Sequence, residues 1–261
     1  MKILALAAAS LVIVSAAPAH AQDDDSPRRT RVILGPQLSP DYPGSSSVTL
    51  SPYISVARAR GDDPFAFEAP DESFNLKLVS ANGFSAGGSL GFEGKRSRKD
   101  TDGALPKVGF GVELGGYAQY QLIPAVRVRA EARQAVSGHD GFVANLSADY
   151  IARDGDNWVF SIGPRVTLTD GRYQRAYFGI APADAAAAGL PAYRPDGGLQ
   201  AAGATTALMY QFTPRIGALG FVKYDRLVED AGDSPVVRRF GSRNQVSGGI
   251  ALSYTFGAVR D

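Results

Sequence analysis

The last stretch of the chain, Gln245 to Phe256, alternates without a break. Val246, Gly248, Ile250, Leu252, Tyr254 and Phe256 share one parity; Gln245, Ser247, Gly249, Ala251, Ser253 and Thr255 share the other. A period of two sends successive side chains to opposite faces of a sheet. The same pattern recurs upstream. Val48, Leu50, Pro52, Ile54 and Val56 alternate with Thr49, Ser51, Tyr53 and Ser55. Val126, Val128, Ala130 and Ala132 alternate with Arg127, Arg129, Glu131 and Arg133. Leu146, Ala148 and Tyr150 oppose Asp149 and Arg153, and Phe160, Ile162 and Val166 oppose Arg165.

Further strands are expected at 31–38, at Phe65 and Phe67, at Phe74 to Leu78, and over 84–92, 107–121, 199–212 and 215–227. The total is 12 strands, or 10 with a rearranged start if Phe65 and Phe67 do not form one. Pro52 cannot donate to a ladder, so a bulge is expected there. Short turns at 82–83, 122–124, 155–156 and 213–214 alternate with long loops at 93–106, 170–197 and 229–244. The long loop 170–197 carries a short helix, Pro182 to Ala188, stopped by Gly189.

In a soluble sandwich the apolar parity would be the core. In an outer-membrane barrel it meets lipid, and the polar parity faces the lumen. The rest of the chain favours the second arrangement. Met1-Lys2, an apolar run from Ile3 to Ala17 and Ala19-His20-Ala21 read as a signal peptide over 1–21. Residues 22–30 read as a flexible periplasmic lead-in, 31–256 as one barrel, and 257–261 as a C-terminal overhang. Past residue 21 no apolar run approaches the length of a spanning helix. The expected fold is therefore all-β, an antiparallel transmembrane β-barrel of the outer membrane.

Composition narrows the chemistry. Without Lys2 there remain 26 basic and 26 acidic side chains, so no basic bias points to nucleic acid. There is no cysteine and only two histidines, one of them in the signal peptide, which argues against disulfides, thiolate metal sites, His metal sites or a bound cofactor. Ser137, His139 and Asp140 suggest a hydrolase. Yet all three share one tight loop, where base and orienter cannot converge on a nucleophile, so a turn braced by the Asp side chain is expected and no catalytic residue is assigned.

The charged parity supplies the main candidate site: Glu113, Arg127, Arg129, Glu131, Arg133, Asp149, Arg153 and Arg165. It forms either a paired network that fills a narrow lumen or a lining selective for anionic solutes. Pairing is favoured, because buried charges without partners are expensive. Lys95, Arg96, Arg98 and Lys99 read as a solvated loop face, with lipopolysaccharide phosphates as the other reading. Tyr173, Tyr177, Phe178 and Tyr193 lie on the long loop, which either folds into the barrel mouth or presents a partner surface.

Several motifs resemble the MipA/OmpV family, the MltA-interacting outer-membrane proteins of Gram-negative bacteria. They are Pro40-Asp41-Tyr42-Pro43-Gly44-Ser45, Val136-Ser137-Gly138-His139-Asp140-Gly141, Tyr177-Phe178-Gly179-Ile180 and Ala187-Ala188-Gly189-Leu190-Pro191-Ala192-Tyr193. Asp233-Ser234-Pro235-Val236-Val237, Gly241-Ser242-Arg243-Asn244-Gln245 and Leu252-Ser253-Tyr254-Thr255-Phe256 complete the set. The resemblance implies an outer-membrane barrel that scaffolds cell-wall enzymes, joining a lytic transglycosylase to a bifunctional penicillin-binding protein. A narrow porin-like channel for small polar or anionic solutes is the alternative. It also implies contact with outer-membrane lipid and with the barrel assembly machinery, through Tyr254 and Phe256 as an assembly signal five residues before the end.

Overall fold

A computed structural model describes residues 27–257. The expected signal peptide, most of the lead-in and most of the overhang lie outside the described residues. Eleven strands form one antiparallel sheet: β1 (Arg28–Pro40), β2 (Val48–Arg60), β3 (Phe74–Ala81), β4 (Phe84–Glu93), β5 (Gly111–Ile123), β6 (Val126–Ser137), β7 (Phe142–Asp154), β8 (Trp158–Thr169), β9 (Gly198–Gln211), β10 (Ile216–Leu227) and β11 (Asn244–Gly257). Their order is β2-β1-β11-β10-β9-β8-β7-β6-β5-β4-β3.

β11 lies beside β1, with Thr30 opposite Phe256 and Leu34 opposite Leu252. The ladder then skips to Gln37 opposite Gly249. Gly35 sits in that gap, where a Cβ would fall 2.1 Å from the Ile250 carbonyl oxygen. The sheet curls into a half-barrel. Arg29 of β1 reaches Asp156, in the turn before β8, at 3.1 Å although three strands stand between β1 and β8. Tyr53 of β2 packs on Phe221 of β10 with ring centroids 5.3 Å apart.

Among the described residues the count is 11 rather than 12 or 10, and residues 61–73 explain it. The segment holding Phe65 and Phe67 is not a strand. Pro64 and Pro70 withhold donors from any ladder, and the segment instead runs through the interior. β2 and β3 point the same way, so the chain needs this return path between them. β2 and β3 are the two edges of the sheet, and no ladder joins them among the described residues.

Pro52 makes no bulge. It faces Pro36 in an unshifted β1–β2 register and lies on an edge strand, where its missing N–H costs no ladder bond. Its carbonyl accepts from Gln37 Nε2 at 3.3 Å. β1 begins at Arg28, so residues 28–30 are strand rather than lead-in. β5 begins only at Gly111, and Val108 turns inward to bridge Arg96.

The two parities separate as the alternation requires. Leu34, Leu50, Leu76, Ile250 and Leu252 stand outward and exposed, Ile250 by 70%. Inward, Ile33, Ala207, Met209, Leu219, Phe221 and Ala251 pack together. The interior is thus apolar on one side and charged on the other. The short turns lie at one end. At the other, the long loops carry α1 (Gly171–Phe178), α2 (Pro182–Ala188), α3 (Glu229–Asp233) and α4 (Pro235–Phe240). α2 spans the expected residues, ended by Gly189 in the left-handed region at φ 61°.

Candidate functional site

In the structure the side chains of Glu113, Arg127, Arg129, Glu131, Arg133, Asp149, Arg153 and Arg165 are turned to the interior side of the sheet. Seven of them join carboxylates from the internal segment in one chain of alternating sign. Lys223 lies 3.5 Å from Asp71. Arg165 grips both Asp71 oxygens, at 2.8 and 3.1 Å, and donates to Asp149 at 2.8 Å. Asp149 also accepts from Arg127 at 2.7 Å. Arg127 pairs with Glu72, which lies 3.7 Å from Arg129. Arg129 donates to Glu131 at 2.7 Å, Glu131 pairs with Arg133, and Arg133 donates to Glu113 at 2.8 Å. Glu113 ends the chain on His139 Nε2 at 3.0 Å. Five cations thus meet five carboxylates before the histidine is reached, and Asp225 holds Lys223 from the other side at 3.1 Å.

Each charge in the chain is bound on both sides, which is the condition for burying it. Cation–π contacts add to this. Arg127 lies 4.5 Å over Phe67, and Arg129 lies 4.0 Å over Tyr117. Arg153 belongs to a separate cluster at the short-turn end, where Asp156 draws Arg153, Arg29 and Arg31 together. Phe65, 3% exposed, seals it under Arg31, with its N–H on Asp156 at 3.0 Å.

The sequence reading missed Asp71, Glu72, Asp156 and Lys223. One signal was available: the expected set holds five arginines against three carboxylates. The missing negative charge had to come from elsewhere, and 61–73 is an acidic segment.

The motifs at the long-loop end fold together into a cap. Tyr173, Tyr177 and Phe178 are 2%, 0% and 0% exposed. They pack with Tyr42, Val108, Val143, Leu227 and Val237. They are therefore the inside of the cap and not a surface offered to a partner, whereas Tyr193 is half-buried with its hydroxyl on the Asp230 carbonyl. Burying one such aromatic contributes roughly 1.5–3 kcal/mol. Asp170 caps α1 by accepting from the Tyr173 N–H at 2.9 Å, and Ser234 Oγ donates to the Phe178 carbonyl at 2.7 Å.

Tyr173 donates to Glu93 at 2.9 Å and Tyr177 donates to the Gly94 carbonyl at 2.9 Å. Burial, then the charge of Glu93, pushes both phenols above their ordinary range and keeps them neutral donors. Arg96 is buried here, donating to the Tyr177 carbonyl at 2.6 Å, so it is not part of a solvated face; Lys95, Arg98 and Lys99 are exposed.

His139 is buried in the floor of the cap. Its Nδ1 accepts from the Gly141 N–H at 3.2 Å, which leaves the Nε2 proton for Glu113. Ser137 Oγ instead bonds Phe110 O and Val112 N, at 3.2 and 3.1 Å. Histidine rather than Asp140 braces this turn. Asp140 is exposed at φ 54°. Among the described residues no group of three or more His, Cys, Asp or Glu is arranged to hold a metal. Tyr254 and Phe256 point outward in an edge-on pair, 4.7 Å between centroids.

A family model described as MltA-interacting protein MipA matches residues 32–256. No curated protein matches the chain. Among solved structures, an outer membrane channel from Pseudomonas putida F1 is 9% identical with a TM-score of 0.45, over 88% of this chain and 96% of that one. Neisserial surface protein A is 11% identical at 0.29, over 87% and 95%. OmpT of Vibrio cholerae is 8% identical at 0.36, over 91% and 100%. Likenesses of this size carry no functional argument.

Proposed function

The chain belongs to the MltA-interacting protein MipA family, and from that premise we propose that it is an outer-membrane β-barrel with a structural rather than a catalytic role. The exposed apolar parity supports the membrane location, because lipid is the solvent that such a face requires. Aromatic residues stand at both ends of that face: Phe74, Phe92 and Phe110 in contact at the loop end, Tyr210, Phe212, Tyr254 and Phe256 at the turn end. The last pair serves as the signal read by the assembly machinery.

The observation that carries the role is the alternating charge chain. It ties residues 61–73 across the interior, and the cap closes the loop end. A molecule filled in this way works through its surfaces. The function we favour is scaffolding, with the periplasmic face holding a lytic transglycosylase and a bifunctional penicillin-binding protein. A pull-down from solubilised envelopes tests it: capture of both enzyme classes is expected, and capture of neither would remove the reading.

A narrow channel for small polar or anionic solutes is the second reading. What favours it is the interior beside β3, where Lys77 and Ser80 of the inner face stay exposed. Steady conductance of the wild-type protein in planar bilayers would establish it.

A further inference from the structure

At the turn end, outward positions on neighbouring strands are aromatic. Tyr120 pairs with Phe84, and Trp158 pairs with Tyr210. Tyr254 and Phe256 continue the belt on β11. On β1 and β2 the belt stops. Thr30 lies opposite Phe256 on one side and opposite Arg58 on the other. One step further out, Arg28 lies directly opposite Arg60. All three arginines have the outward parity and all are exposed.

Their neighbours of the other parity behave differently. Arg29 and Arg31 turn inward to Asp156 and stack on Phe65. Just after Gly61 the chain itself turns inward, where Arg29 takes the Asp63 carbonyl. So Arg28, Arg58 and Arg60 form a cationic patch on the outer wall, immediately beyond the apolar row Val32, Leu34, Ile54 and Val56. Like charges directly opposite on a ladder repel unless an anion lies between them. Guanidinium groups grip phosphate oxygens through paired N–H donors. A ligand that fits carries a phosphate at this level and apolar chains one row above it.

We propose that Arg28, Arg58 and Arg60 bind the phosphate headgroup of an anionic phospholipid of the inner leaflet, whose acyl chains lie along β1 and β2. This rests on the outer-membrane barrel reading. The test reconstitutes the full chain in nanodiscs of phosphatidylethanolamine with a minor share of phosphatidylglycerol or cardiolipin. The lipids that remain on the protein after gentle extraction are then quantified by native mass spectrometry.

Enrichment of the anionic lipid by roughly 5-fold or more is expected, since each arginine near the surface favours anionic lipid by about that factor. The triple variant Arg28→Gln, Arg58→Gln, Arg60→Gln should return to the bulk ratio, and Lys95→Gln with Lys99→Gln at the other end should not. Water-soluble glycerol phosphate at equal concentration should not displace the lipid; displacement would mean a free-phosphate site and overturn the proposal. Equal enrichment in the wild type and the triple variant would overturn it, as would equal loss in the control variant. Failure of the wild type to enter nanodiscs at all would overturn the barrel reading itself, whereas entry without enrichment removes only the lipid site.

Discussion

At the scale of single residues the interior is governed by charge balance. Asp71 binds Arg165 through both oxygens, Thr205 at 2.9 Å and Lys223 at 3.5 Å. Removing it leaves Arg165 with Asp149 alone and Lys223 with Asp225 alone. Asp71→Ala should therefore destabilise by about 1–3 kcal/mol, the cost of leaving buried donors short of a partner. Ser80→Ala, at an exposed position, should stay within about 0.5 kcal/mol. Urea unfolding in lipid vesicles, followed by the heat-dependent gel shift, measures both. The cap offers a pH test. Folding raises the pKa of Tyr173 and Tyr177, so they stabilise the fold fully below the unfolded phenol value of about 10, and that stability is lost as pH climbs above it. Tyr173 and Tyr177 should ionise late in an absorbance titration, together with loosening of the cap. Tyr173→Phe with Tyr177→Phe should cut the late amplitude by two tyrosines; a titration unchanged by them would refute the assignment. Strand parity told which side chains face inward, as Arg127 and Arg165 show. It could not tell that Asp71 and Glu72 would complete them, because those contacts join positions far apart in sequence.

At the scale of elements the long strands were legible because alternation over a dozen residues admits one geometry. Leu252 illustrates it: 67% exposed on the apolar parity of β11. Leu252→Arg places a charge on the lipid face, costs about 2–4 kcal/mol near the membrane middle, and should leave the protein unassembled on a heat-modifiability gel. Ser253 is no fair control, since it is 2% exposed and an arginine there would overpack the interior. Ser80→Arg, on the roomy inner side of β3, should assemble normally. Equal failure of the two would refute the assignment of faces. The elements that were misread are short. Phe65-Ala66-Phe67-Glu68-Ala69 alternates like a strand, but with prolines on both sides it cannot extend far enough to hold a place in the wall. α1, α3 and α4 span only 8, 5 and 6 residues, too few for a helical period to stand out. The signals of α1 and α4 are caps, Asp170 and Ser234, which only the structure ties to helices. Pro52 kept its place by lying on an edge strand, a fact set by topology rather than by its neighbours in sequence.

At the scale of the whole molecule, the odd strand number and the filled interior have one cause. An even, closed antiparallel wall would need a strand between β2 and β3, running opposite to both. Residues 61–73 run in that direction, but they spend their carboxylates on Arg127, Arg129 and Arg165 and their aromatics on Arg31 and Arg127. The wall gives up a strand and the interior gains an internal strut. On the scaffold reading proposed above, the strut is what keeps the interior from conducting, and weakening it should open a path. In the double variant Asp71→Ala, Glu72→Ala the segment loses its grip on the ladder, and Arg127, Arg129 and Arg165 keep fewer carboxylates than they need. Planar-bilayer recordings should show little conductance for the wild type and frequent openings for the variant. The exposed arginines should make those openings anion-selective, with a reversal potential displaced accordingly in a potassium chloride gradient. Arg165→Ala should also loosen the strut but leave less positive charge behind, so its openings should be less selective. Conductance identical in all three proteins would show that the strut does not control the path. Conductance already large in the wild type would show that the interior is open beside it, along the exposed side of β3, and the channel reading would then replace the scaffold.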